Sequence, residues 1–125
     1  LTGWISAFDY DHLDGTIRNR RNFAQSERGY PDGSTVDVEG CLWSCRWEGG
    51  CVTRFAPDGS IDQVVEVPVQ RVTSCTFGGA NLDTLYITTA RWDMTEKEIL
   101  DNPTAGCVFA IKTEVKGLSD SRFAG

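Results

Sequence analysis

The segment Tyr30-Pro31-Asp32-Gly33-Ser34 is where this chain of 125 residues most invites chemistry. A carboxylate can ligate a hard divalent cation. Pro-Asp-Gly is equally a β-turn signature, because proline presets φ and glycine accepts positive φ. Pro57-Asp58-Gly59 repeats the tripeptide as a plain turn. Position separates the two, since Asp32 comes just before a strand run at Ser34 to Val38. Trp43 and Trp47 share one face of the next strand by parity, as core packing or as a sugar-stacking wall. Asp9, Asp11, Asp14 and Gly15 resemble a calcium loop only in part. The third carboxylate and the glycine come one place late, and Arg20 stands at position 12 where a carboxylate is required, so a turn is the expectation. No serine, histidine and aspartate set is present, and the lone His12 sits in a turn.

These residues are carried by strands. Trp4 to Tyr10, Ile17 to Phe23, Ser34 to Val38, Cys41 to Arg46, Cys51 to Phe55 and Ile61 to Val67 are short runs bounded by turn residues, notably Asp37-Val38-Glu39-Gly40 and Glu48-Gly49-Gly50. Val72 to Phe77, Leu85 to Thr89, Gly106 to Lys112 and Glu114 to Lys116 make a further set. Thr95-Glu96-Lys97-Glu98 is a capping box that opens a short helix near 95–101, stopped by Pro103. Four strands over Ser34 to Val67 approximate one propeller blade. The expectation is an all-β, partial β-propeller of about two and a half four-stranded antiparallel blades. They divide as an outer half blade over 1–29, a blade over 30–68 and a blade over 69–125. Innermost strands line a propeller's channel, which places Asp32 beside it. Two and a half blades cannot close a ring, so other residues or a second copy must complete it.

Composition excludes several classes. With 18 acidic and 12 basic residues, and Arg18, Arg20 and Arg21 as the one dense basic cluster, nucleic acid is not an expected partner. No apolar run approaches the roughly 18 residues of a membrane-spanning helix, so no membrane is expected. The cysteines are Cys41, Cys45, Cys51, Cys75 and Cys107; an odd number without C-x-x-C spacing argues against a disulfide framework or a zinc site. Buried reduced thiols suit a cytoplasmic protein. Met94 is the sole methionine, and Leu1 is no obvious translation start, so the beginning of the chain is expected to lie elsewhere.

A family resemblance rests on particular stretches. Tyr30 to Gly40 with Leu42-Trp43, Trp47-Glu48-Gly49-Gly50, Arg54 to Gly59, Phe77-Gly78-Gly79 and Leu82 to Tyr86 resemble the gluconolactonase and regucalcin family, in its bacterial sugar lactonases especially. So do Thr88 to Arg91, Ala7 to Asp11 and Asn19-Arg20-Arg21. The resemblance implies the C-terminal part of a six-bladed propeller with one divalent metal, calcium, zinc or magnesium, in its channel. It implies metal-dependent hydrolysis of a sugar (aldono) lactone, with Asp32 as metal ligand and catalytic base and with Trp47 and Tyr30 as substrate-wall candidates. The family's other metal ligands would lie before Leu1, so metal binding by this chain alone is expected to be weak. An alternative is a non-catalytic half-propeller that self-assembles as a homo-oligomer and serves as a binding or structural module.

Overall fold

The computed structural model describes residues 2–119 and 121 and arranges them in three antiparallel sheets. β1 (Trp4–Tyr10) pairs with β2 (Ile17–Gln25). β3 (Tyr30–Val36), β4 (Leu42–Trp47), β5 (Cys51–Phe55) and β6 (Ile61–Glu66) form a four-stranded meander. β7 (Val72–Gly78), β8 (Thr84–Thr89) and β9 (Val108–Lys112) form the third sheet. Sequence order is kept throughout, as short antiparallel connections dictate. β7 lies against β3 and β4, whereas the outer strands β6 and β9 make no comparable contact. The two larger sheets thus converge at their first strands and diverge outward, as propeller blades do. The partial all-β propeller is what the strand spacing predicts.

The blades are held together by the residues that alternate inward. Trp43 and Cys45 of β4 and Val52 of β5 bury against Val72, Cys75 and Phe77 of β7 and Leu85 and Ile87 of β8. Trp43 and Phe77 meet edge to face, ring centroids 5.7 Å apart at 87°, a preferred aromatic geometry. Trp43 is fully buried, so the core reading holds for it.

α1 (Glu96–Asp101) forms where the capping box predicts it. Thr95 Oγ1 accepts from Glu98 N, and the Glu98 carboxylate accepts from Thr95 N at 2.7 Å. None of its residues is buried, so it decorates the surface.

One expected strand is absent. Glu114 to Lys116 does not extend the third sheet, which has three strands among the described residues. Beyond β9 the backbone turns away. Thr113 N donates to Asp83 O at 2.9 Å, Gly117 N donates to Leu82 O at 2.8 Å, and Gly117 bridges Asp37 of the second sheet. Those hydrogen bonds, with Val38 N donating to Lys116 O at 2.9 Å, tie the segment on both sides to Asp83, Leu82 and the β3–β4 turn and not to β9.

The turn after β3 is organised by a buried carboxylate. Asp37 Oδ1 accepts from Glu39 N at 2.9 Å and Cys41 N at 3.1 Å, which closes the β3–β4 hairpin. Its Oδ2 accepts from Trp43 Nε1 and from Arg54 Nε, each at 2.8 Å. Arg54 is further paired with Glu39 and Asp62, both at 2.6 Å. Burial alone raises the Asp37 carboxyl pKa. The Trp43 and Arg54 hydrogen bonds, with the two backbone N–H groups, outweigh it and hold the value below the ordinary 3.8. A carboxyl depressed in the folded state stabilises the fold above its unfolded pKa, and that contribution disappears as pH falls through the folded pKa. Asp37→Ala should cost about 3 kcal/mol in urea unfolding, the low end for a broken buried pair because Glu39 and Asp62 still neutralise Arg54. The mutant's stability should also fall less than wild type's between pH 4 and pH 2, on the order of one proton less taken up on unfolding.

Candidate functional site

Asp32 lies inside β3 and not before it, because the strand begins at Tyr30. On β3 the register runs from Pro31 opposite Arg46 to Ser34 opposite Ser44, so three steps on β3 oppose two on β4. This is a bulge, which re-aims a side chain. Pro31 lacks the N–H that a continuous ladder would require. Gly33 lets the strand approach β7: a Cβ there would stand 2.6 Å from Ser74 Cβ and 2.8 Å from Ser74 Cα. Asp32 is exposed at this bulge. It enters no side-chain hydrogen bond or salt bridge with a described residue, in contrast to the fully engaged Asp37. Pro57-Asp58-Gly59 does form a turn, with Gly59 at φ 85° and Asp58 Oδ1 accepting from Ser60 N at 2.9 Å.

Tyr30 and Trp47 are direct cross-strand partners at the same end of the second sheet. Both are half-buried. The structure therefore brings Tyr30, Asp32 and Trp47 to one end of the blade. Beyond Trp47 the backbone of Arg71 forms a bridge to it, and the Arg71 guanidinium lies 5.8 Å from the Trp47 ring centroid. Trp92 meets the same indole at 6.1 Å and 54°. Sequence reasoning did not reach Arg71 or Trp92. The available signal was that Arg71 immediately precedes the first strand of its sheet.

Behind the bulge, Cys45 and Cys75 are both buried. The Cys45 thiol is pushed far above the usual range, first by its hydrogen bond to Cys75 and then by burial, with the charges of Cys75 and Asp32 adding to the effect. It is a packing residue, because thiolate is the reactive form. Cys107 is the exposed thiol.

The partial calcium loop is a turn. Asp11 Oδ1 accepts from Leu13 N and Asp14 Oδ1 accepts from Thr16 N, each at 2.9 Å. Among the described residues no group of three or more His, Cys, Asp or Glu side chains could hold a metal ion. Asp32 thus has an unengaged carboxylate, without such companions among the described residues. No helix of the described residues is long and apolar enough to cross a membrane.

Antiparallel blades whose first strands converge define part of a propeller. The description of the SMP-30/Gluconolactonase/LRE-like region matches residues 1–91, and the chain belongs to that family. It is 41% identical over 117 residues to 6-deoxy-6-sulfogluconolactonase of Pseudomonas putida, covering 94% of this chain and 40% of that protein. It is 42% identical over 125 residues to regucalcin of Homo sapiens, covering 97% of this chain and 42% of the relative. The solved structure of a calcium-binding protein, regucalcin, from Agrobacterium tumefaciens superposes with a TM-score of 0.86 at 31% identity, over 94% of this chain and 41% of that one. The chain therefore spans about two fifths of the length of these relatives.

Gly33→Ala should separate β3 from β7 and lower stability by about 1–3 kcal/mol, the usual cost of overpacking. Thermal unfolding of the variant, and of Gly33→Ala with Ser74→Gly, checks the cause: the second change should restore part of the loss.

Proposed function

We propose that this chain contributes the C-terminal blades, over 1–29, 30–68 and 69–125, to a divalent-metal-dependent hydrolase of sugar (aldono) lactones. The observation that carries the reading is Asp32: an exposed carboxylate on an innermost strand, without a hydrogen-bond or ion-pair partner among the described residues, in a family whose relatives include sugar lactonases. The relative named a calcium-binding protein supports a metal at this position.

A hard cation takes several oxygen ligands, and Asp32 would supply one of them. A bound divalent ion supplies Lewis acidity toward a lactone carbonyl or a water. The chain's own residues act around that point. Asp32 would accept the proton that water gives up on attacking the lactone carbonyl and return it to the ring oxygen as the acyl C–O bond breaks, which opens the ring to a hydroxy acid. Trp47 offers an indole face to the C–H side of the sugar ring, and Tyr30 closes the wall beside it. Trp47 is held for this by its pairing with Tyr30 on one side and Arg71 on the other.

Further blades are needed to complete the ligands and the ring. The first sheet supports this, for Tyr10 is 66% exposed, Ile17 61% and Trp4 44%. Apolar side chains on a two-stranded sheet have no reason to face water in a finished propeller.

The test is acid release from gluconolactone and xylonolactone by the full-length polypeptide that carries this sequence. Calcium, zinc or magnesium should support turnover, and chelation should abolish it reversibly. Asp32→Ala should lower kcat/KM by about 100-fold or more, with an unchanged melting temperature in the absence of metal because the side chain is exposed. Metal-independent turnover, or full activity in the variant, would sink the assignment.

A further inference from the structure

On the Asp32 side of the sheets lies a cleft of about 290 Å³ that the proposed lactone chemistry does not use. Val69, Ala90 and Met94 give it an apolar floor. Arg71, Glu48 on the β4–β5 turn, and Glu98 and Asn102 of the α1 segment give it a polar rim. Its roof is fixed, since Arg91 Nε donates to Ala105 O at 2.6 Å and Arg91 Nη2 to Pro103 O at 3.0 Å.

The rim groups keep unused hydrogen-bonding capacity. Arg71 directs one N–H to Asp93 O at 3.5 Å. Glu98 engages Thr95 through Oε2, at 2.7 and 2.8 Å, leaving Oε1. Asn102 Nδ2 donates to Glu98 O at 3.0 Å, leaving its carbonyl oxygen as an acceptor. Glu48 is held at φ 59°, a left-handed conformation that a non-glycine residue adopts at a cost. Such strain clusters at ligand sites.

Charge selects the ligand class. One guanidinium faces two carboxylates, so an anion meets net repulsion, while Arg71 opposes a cation. A neutral polyol meets neither: its hydroxyls donate to the carboxylates and accept from the guanidinium, and the C–H face of its ring covers the apolar floor. Position selects the kind of substrate. Arg71 bridges Trp47, which pairs with Tyr30 of β3. Two ladder steps through Trp47 separate the cleft's edge from the strand of Asp32, about 10 Å, so a lactone ring lying over Trp47 would leave a glycosyl substituent within reach of the cleft.

The geometry points to a subsite for the distal, uncharged glycosyl unit of a glycosylated aldonolactone, the lactone ring lying at Asp32. The lactone half of this inference rests on the reading above; the sugar-binding half does not. Met94, the sole methionine, is a unique reporter in the floor. Titration of the full chain with methyl α-D-glucopyranoside, without metal, should shift the Met94 methyl resonance with a dissociation constant on the order of 1 mM. Glu48→Gly, which suits the left-handed backbone and keeps the fold, should weaken binding by about tenfold. Maltobionolactone should show a KM about tenfold below that of gluconolactone. A Met94 resonance that the glucoside leaves unmoved overturns the subsite, and equal KM values for the two lactones overturn the glycosylated substrate. Sugar binding without hydrolysis of either lactone sinks the lactonase reading and leaves the subsite standing; hydrolysis with no Met94 shift does the reverse.

Discussion

The buried carboxylate of Asp37 is the interaction on which the rest of this structure depends. Four donors converge on it from the hairpin backbone, the indole of β4 and the guanidinium of β5. Its own backbone bridges Gly117, beyond the last strand of the next sheet. An ionised carboxylate in an apolar interior costs several kcal/mol unless it is paired and hydrogen-bonded. The strands that bring those donors must therefore stay where they are for the charge to remain buried. Trp43 is oriented by this bond, and Trp43 in turn meets Phe77 across the inter-blade core. The angle between the two blades thus traces back to one side chain just past the end of β3.

At the opposite end of the same strand the logic is inverted. Asp32 stands exposed at a bulge, and no donor among the described residues consumes its lone pairs. The two ends of β3 carry the same functional group in contrasting environments. Asp37 is closed, satisfied and structural, whereas Asp32 is open and available. β3 can hold an available carboxylate in place because its far end is anchored, and because Gly33 packs it closely against Ser74 of β7. Rigidity at one end thus limits the movement of a ligand at the other, as a metal or catalytic site needs.

The strand order and the helix were legible because they are local. Alternation, turn residues and a capping box are written in consecutive residues, and the observed elements follow them. Glu114 to Lys116 was misread because its local pattern suits a strand while the residues on either side of it, Thr113 and Gly117, donate to Asp83 and Leu82, 30 or more residues earlier. Pro31-Asp32-Gly33 was half legible. Its residue types suggested a ligand, yet the same tripeptide at 57–59 makes a turn, and only the pairing of β3 with β4 and its packing on β7 distinguish them. Arg71 and Trp92 were missed, since their meeting with Trp47 joins the end of β4 to two loops far along the chain. Asp37 was read as a turn residue. Nothing in Asp-Val-Glu-Gly announces that an arginine 17 positions on will turn back to it.

The first sheet behaves unlike the other two, and the difference bears on the site. β1 and β2 are tied by polar contacts at their surface, Arg21 to Asp9 at 2.8 Å and Asn19 to Asp9 at 2.9 Å. Such exposed pairs contribute less than about 1 kcal/mol each. A two-stranded sheet is marginal alone, and here its aromatic and aliphatic side chains remain largely uncovered. It also lies next to β3, the strand that carries Asp32. Covering that apolar surface calls for further strands beside β1 and β2, and filling a hard cation's coordination shell calls for further oxygens beside Asp32. Blades added there would stabilise the first sheet, and on the proposed reading they would also bring ligands toward the axis. Folding and metal binding at Asp32 would then be linked, each favouring the other as any group that binds only the assembled state must.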